Sequence, residues 1–145
     1  VCLVTYAGRR EHVRAVRQQL HRLVTIEGVP PGEIALLTGH KLDADSPFAA
    51  GQVLGNLTLT TTAPPGPNEV LVSTIQRFKG LERRAVILAD LDQTVHPDLP
   101  TVLYVGASRA KEHLAVVIDQ AAPPAILARL QAAATPAPSP TPEGR

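Results

Sequence analysis

Short apolar runs recur along this chain, and they constrain its fold more than any other feature. The runs occupy residues 1–6, 33–37, 69–73, 85–89 and 114–118. Strands that are apolar along their whole length are typical of parallel sheets covered on both faces. Residues 9–24, with apolar side chains at helical spacing, predict one of the covering helices. The pattern therefore predicts an α/β fold in three layers, with a parallel sheet in the middle.

The length of the chain fits one domain. It has 145 residues, of which 44% are hydrophobic and 3% are aromatic, so the core is predicted to be aliphatic. We expect this domain to cover residues 1–134 and to be followed by a disordered, Pro-rich tail or linker at residues 135–145. Further helices are predicted at residues 100–110 and 124–133, and a further strand at 57–62. Because the sequence contains no Met, we interpret it as a fragment of a longer protein.

Composition also bears on location and partners. The chain has a single cysteine, Cys2, so an internal disulfide is excluded. No apolar stretch approaches the 18 or so residues of a membrane span, which predicts a cytoplasmic protein without a membrane partner. The net charge is only +1, so any basic surface must come from local clustering. One such cluster is the helix face of Arg10, Arg14 and Arg17, which is either solvated or in contact with phosphates.

The first informative segment is TIQRFKGLE, at residues 74–82, between two predicted strands. Glu82 is suited to accept hydrogen bonds from ribose hydroxyls, and Arg77 and Lys79 are suited to meet phosphates. Gly80 permits a close backbone approach. Ligands of parallel sheets bind at the carboxyl ends of the strands, so we expect this segment to cluster there. The alternative is a solvated connection whose charges face water.

The second segment is LYVGASRA, at residues 103–110, just before the last predicted strand. It places Arg109 near the end of the predicted 100–110 helix, beside the edge of the sheet. An arginine held on a rigid element there is suited to neutralise a transferring phosphoryl group, as an arginine finger does. The alternative is simple stabilisation of a helix C-terminus by a cation.

Together these segments resemble the fifth and sixth conserved motifs of superfamily 1 helicases of the UvrD-like kind. The resemblance covers residues 69–118, and residues 1–42 agree more loosely with the start of the same domain. It implies a RecA-like fold of the P-loop NTPase type, namely the second of the two motor domains. This domain lacks its own phosphate loop, because the sequence contains no G-x-x-x-x-G-K-[ST].

The resemblance also implies roles for individual residues. Lys79, Gly80 and Glu82 would bind the nucleotide, with Arg109 as the catalytic finger on its γ-phosphate. Residues implied to contact nucleic acid are Thr74, Gln76 and Arg77. Three departures from the family pattern stand out: Gln76 replaces a His, Gly106 and Ser108 replace Ala and Thr, and residues 38–41 lack an Arg that often follows the fourth-motif strand. Lys41 there offers a point charge but no bidentate fork.

These roles predict part of an ATP-dependent DNA helicase or translocase. Mg²⁺ and the phosphate loop would belong to an N-terminal RecA-like domain of the same parent chain, so the isolated fragment is predicted to be inactive. Single-stranded DNA is the expected partner, with RNA not excluded. We predict no metal site in this chain, since Asp90 and Asp92 are interpreted as strand-end caps and the histidines lack ligand spacing.

Two other interpretations remain open. The missing Arg at residues 38–41 and the Pro-rich tail are compatible with a degenerate, non-enzymatic docking module for nucleic acid or protein. A small-molecule α/β enzyme that uses Asp90 or Asp92 has little support, because no Gly-rich turn follows the first strand. The motor interpretation makes one geometric prediction: the 74–82 segment and the Arg109 guanidinium converge on a single edge of the sheet.

Overall fold

The fold was analysed in a computed structural model, which describes residues 2–39, 48–49, 51–61, 65–75, 82–89, 91 and 108–120. Strand β1 (Cys2–Tyr6) leads into helix α1 (Arg9–His21), which continues as a π-helical segment, Arg22–Ile26. A 3-10 turn, Pro31–Glu33, precedes the next strand. The other strands are β2 (Ile34–Thr38), β3 (Val53–Leu54), β4 (Leu57–Thr60), β5 (Glu69–Thr74), β6 (Arg83–Ala89) and β7 (Ala110–Asp119).

The strands form one mixed sheet that is mostly parallel. Its order is β1-β7-β6-β2-β5-β4-β3. Every neighbouring pair is parallel except β3 and β4, which pair in the antiparallel direction at one end of the sheet. The prediction of an α/β fold built on a largely parallel sheet is therefore confirmed.

The core lies on both faces of the sheet, as fully apolar strands require. β2 is buried along its whole length, with Ile34 and Leu36 on one face and Ala35 and Leu37 on the other. Helix α1 packs on β1, β7 and β6 and covers the first of these faces. Of the apolar residues predicted from helical spacing, Val16 and Leu20 in α1 and Leu23 in the π-helical segment belong to that first cluster, and Val13 packs against it. The second cluster includes Val86, Leu88, Val116 and Ile118.

Several strands extend beyond their apolar runs. The last strand was predicted at residues 114–118 but begins at Ala110 and ends at Asp119. The sequence pattern marks only the part of a strand that is buried, whereas the polar residues at its start are exposed or half-buried and still join the backbone ladder. In the same way, β6 begins two residues earlier than predicted, at Arg83.

The end of the helix predicted at residues 100–110 is wrong. Ser108 and Arg109 form a turn, and Ala110 is already in β7. The backbone N–H of Arg83 donates a hydrogen bond to the carbonyl of Arg109, which brings this stretch into the sheet. The remainder of that helix, residues 100–107, lies outside the described residues, as do the helix predicted at 124–133 and the tail at 135–145. Within the described residues, no helix is long and apolar enough to cross a membrane.

Candidate functional site

Arg109 is positioned by a direct connection between the two motif segments. The backbone N–H of Arg83 lies 3.0 Å from the carbonyl oxygen of Arg109. The next residue, Ala110, is paired with Arg83 in the parallel β6–β7 ladder. Because both strands begin here, Arg109 and the end of the 74–82 segment meet at the amino edge of the sheet.

A local irregularity follows immediately. Arg83 pairs with Ala110, but Ala85 pairs with His113, so two residues of β7 stand opposite the single Arg84. Bulges of this kind re-aim neighbouring side chains and are common beside functional sites. The Nε atom of Arg84 lies 2.9 Å from Oε1 of Glu112, which is an ion pair across the bulge. The hydrogen bond and the negative charge of Glu112 both raise the pKa of Arg84.

The Arg109 side chain contains a buried donor. Its Nε atom is buried and has no hydrogen-bond partner among the described residues, although the residue as a whole is half-exposed. Leaving a buried donor without a partner costs about 1–3 kcal/mol. Buried polar atoms in native proteins almost always have a hydrogen-bond partner. The Arg109 guanidinium is therefore a candidate to bind an acceptor from outside the described residues.

Glu82 lies at the same edge and immediately precedes β6. It is exposed, and its backbone carbonyl accepts a 3.0 Å hydrogen bond from Nη1 of Arg83. The neighbouring charges are of both signs, since Arg83 and Arg84 accompany Arg109, whereas Glu33 and Glu112 both act on Arg84. The edge therefore combines arginine side chains with exposed carboxylates, groups suited to phosphates and to hydroxyls respectively.

Thr74 lies at the edge of the sheet opposite Arg109. The prediction that the 74–82 segment and the Arg109 guanidinium converge on a single edge is therefore wrong. Thr74 pairs with Thr38, and Thr38 pairs with Ala89, the last residue of β6. In a parallel sheet this puts Thr74 at the carboxyl edge, six residue steps, or about 20 Å, from the level of Arg83. The error came from treating residues 74–82 as one cluster, whereas the connection between two parallel strands must run from the end of one to the start of the other.

The carboxyl edge contains a buried histidine that the sequence did not single out. The ring of His12 stacks on Tyr6, with centroids 4.2 Å apart, and meets Phe48 edge-on at 5.1 Å. Burial lowers the pKa of His12 to about 4, against a smaller opposing effect of Asp119. Such a histidine is neutral near pH 7 and packs between two aromatic rings.

Other predicted site residues fall outside the described residues, namely Gln76, Arg77, Lys79 and Gly80, together with Lys41, Asp90 and Asp92. Within the described residues there is no group of three or more His, Cys, Asp or Glu side chains that could hold a metal ion. Sequence reasoning also missed the bulge opposite Arg84. The ion pair that accompanies it joins residues far apart in the chain, so no local pattern reveals it.

Comparisons with known proteins agree with this architecture. Residues 69–117 match the model of the UvrD-like helicase C-terminal domain, a stretch that includes Thr74, Glu82 and Arg109. No curated protein matches the chain. Among solved structures, the C-terminal domain of a possible DNA helicase from Lactobacillus plantarum WCFS1 has a TM-score of 0.64 at 22% sequence identity, covering 85% of this chain and 76% of that one.

That structure is similar in fold, and its identity is too low to transfer an activity. The resemblance predicted from the two motifs is nevertheless confirmed by the independent family match. Over residues 69–117, the part of the sheet that contains Thr74, Glu82 and Arg109, this chain matches the UvrD-like helicase C-terminal domain.

Proposed function

We propose that this chain is the second RecA-like motor domain of an ATP-dependent DNA helicase or translocase. It would complete an ATP site whose phosphate loop belongs to an N-terminal domain of the same parent chain. The observation that carries the proposal is the meeting of Arg109 and Glu82 at one edge, with a buried guanidinium donor that has no described acceptor.

The chemistry of this edge fits a nucleotide bound between two domains. An arginine fork forms charge-assisted hydrogen bonds with phosphate oxygens, and such a contact would satisfy the buried Nε of Arg109. Glu82 would accept hydrogen bonds from the ribose hydroxyls, and Lys79 and Gly80 would complete the nucleotide contacts. Arg109 would stabilise the charge that develops on the γ-phosphoryl group, an effect worth about 10³–10⁵ in rate where a finger operates.

Mg²⁺ is assigned to the partner domain. In P-loop NTPases it is held by the Ser or Thr of the phosphate loop and by a Walker B Asp, and this sequence has no such loop. When bound, ATP supplies the free energy of the motor. The residues of this chain contribute orientation of the nucleotide and a fixed positive charge, and by themselves they would not hydrolyse it.

Single-stranded DNA would contact the opposite edge, through Thr74 with Gln76 and Arg77. The 75–82 connection then joins the two edges, since it leaves β5 beside Thr74 and enters β6 beside Glu82. The proposal therefore separates the two ligands, which would bind at opposite edges of the sheet.

The experiment is a DNA-stimulated ATPase assay on the parent chain with its N-terminal domain present. Arg109→Ala is expected to reduce kcat by at least about 10³-fold, and Arg109→Lys to recover only part of the loss, because a point charge cannot reproduce the fork. Lys111→Ala, at an exposed position two residues away, is the matched control and should retain activity. Undiminished turnover in Arg109→Ala would contradict the proposal, and an inactive wild-type parent would favour a docking module instead.

A further inference from the structure

Three arginines form a stripe along the solvent face of α1. Arg10, Arg14 and Arg17 follow at spacings of four and three residues, and His21 continues the series after four more. At 3.6 residues per turn, these positions share one side of the helix. They lie opposite the buried face formed by His12, Val16 and Leu20. The side chains of Arg10, Arg14, Arg17 and His21 are all exposed. We refer to Arg10, Arg14 and Arg17 as the arginine stripe.

No stripe residue takes part in an ion pair among the described residues, although Glu11 contributes one negative charge to the same helix. The ion pairs among the described residues join Arg22 to Glu27 and Arg84 to Glu112. Like charges spaced three or four residues apart destabilise a helix by about 0.2–0.5 kcal/mol per pair. Arg10 also lies in the first turn of α1, where a cation opposes the helix dipole, while Glu11 in the same turn favours it.

We propose that the arginine stripe binds the phosphate backbone of duplex nucleic acid, independently of sequence. The stripe from Arg10 to Arg17 is about 10 Å long at 1.5 Å per residue. That length matches about three phosphates along one strand of duplex DNA. Arginine is also the residue best suited to bidentate phosphate contacts.

A duplex fits the stripe better than a single strand. Proteins that bind single strands combine basic grooves with aromatic side chains on which the bases stack. The aromatic residues that the structure describes, Tyr6 and Phe48, pack against the ring of His12 beneath α1 instead. The stripe offers charge without stacking, so it would hold the backbone while the bases remain paired. This surface is distinct from the Thr74 edge and requires no nucleotide.

The test measures binding of the 145-residue chain to a fluorescein-labelled 20-base-pair DNA duplex by anisotropy, without ATP and over a series of salt concentrations. The Arg10→Gln/Arg14→Gln/Arg17→Gln variant is expected to bind more weakly and to lose about 2.7 from the slope of log K against log salt, at about 0.9 per phosphate contact. The corresponding triple lysine variant should keep the slope, because it retains the charges.

Arg22→Gln is the matched control, because Arg22 follows α1 directly but is paired with Glu27. It should bind the duplex as the wild type does, and circular dichroism should show all variants folded. An unchanged slope in the folded triple glutamine variant would overturn the proposal, as would an equal loss of binding in Arg22→Gln. Tighter, stripe-dependent binding of a dT20 single strand would overturn the duplex assignment. Absence of duplex binding by the wild type at low salt would overturn the whole proposal without affecting the ATPase test of Arg109.

Discussion

The backbone N–H of Arg83 donates a 3.0 Å hydrogen bond to the carbonyl of Arg109. This bond joins the first residue of β6 to the residue that precedes β7, and so it brings together the ends of two motif segments that are separated in the sequence. Glu82 and Arg109 share the amino edge, whereas Thr74 is at the carboxyl edge, about 20 Å away.

The Arg84–Glu112 ion pair should contribute little to stability. Its side chains are 35% and 52% exposed, and exposed pairs typically contribute less than about 1 kcal/mol. We therefore expect Glu112→Gln to change the free energy of unfolding by less than about 1 kcal/mol in urea titrations. A double-mutant cycle with Arg84→Gln isolates the pair, with Arg22 and Glu27 as a comparable surface pair. A coupling of several kcal/mol would mean that the bulge depends on this ion pair.

His12 should make stability depend on pH. Burial lowers the pKa of His12 in the folded chain to about 4, below the ordinary value of about 6.5 for an unfolded histidine. The unfolded chain therefore binds more protons between these values, so the free energy of unfolding falls as pH drops from about 6.5 to about 4. Over this range the free energy of unfolding should fall by no more than about 3 kcal/mol.

The measurement for His12 is urea denaturation at several pH values for the wild type and for His12→Phe. Phenylalanine keeps an aromatic ring between Tyr6 and Phe48 but cannot take up a proton. The difference in unfolding free energy between the two proteins should shift in favour of the variant as pH falls. Parallel pH profiles would show that His12 does not titrate as a buried group.

Gly8 should be intolerant of a side chain. It precedes α1 with φ of 85° and ψ of 161°, a region that essentially only glycine occupies, at a cost of about 1–3 kcal/mol for other residues. A Cβ there would meet no atom within 4 Å, so the loss expected for Gly8→Ala arises from the backbone alone. Gly32→Ala is the control, since its Cβ would lie 4.0 Å from Pro65 Cγ, an ordinary contact. Equal thermal stability of the two variants would contradict this reasoning.

The sequence predicted the buried middle of the fold well. Continuous apolar runs such as residues 85–89 identified β6, because a strand covered on both faces has no polar alternation to obscure it. The spacing of Val13, Val16 and Leu20 identified the buried face of α1, which Leu23 continues in the π-helical segment. These features depend on local periodicity, which the sequence records directly.

The layout of the site was harder to predict. The position of Arg109 depends on pairing between β6 and β7, and the separation of Thr74 from Glu82 depends on the parallel direction of β5 and β6. Both are long-range properties, and a motif written as one string of residues conceals the distance that its ends span. The stacking of His12 on Tyr6 is equally invisible in the sequence, because it requires β1 and α1 to be folded together.

In the proposed function, the nucleotide binds at the amino edge and single-stranded DNA at the carboxyl edge. The most direct test compares Arg109→Ala with Thr74→Val in the parent chain. ATPase activity is measured for each variant as a function of dT20 oligonucleotide concentration. We predict that Arg109→Ala lowers the maximal turnover by at least about 10³-fold, whereas Thr74→Val mainly raises the oligonucleotide concentration required for half-maximal turnover. If Arg109→Ala instead retains full turnover, or if its main effect is on the oligonucleotide requirement, the nucleotide does not bind at the amino edge and the account is contradicted.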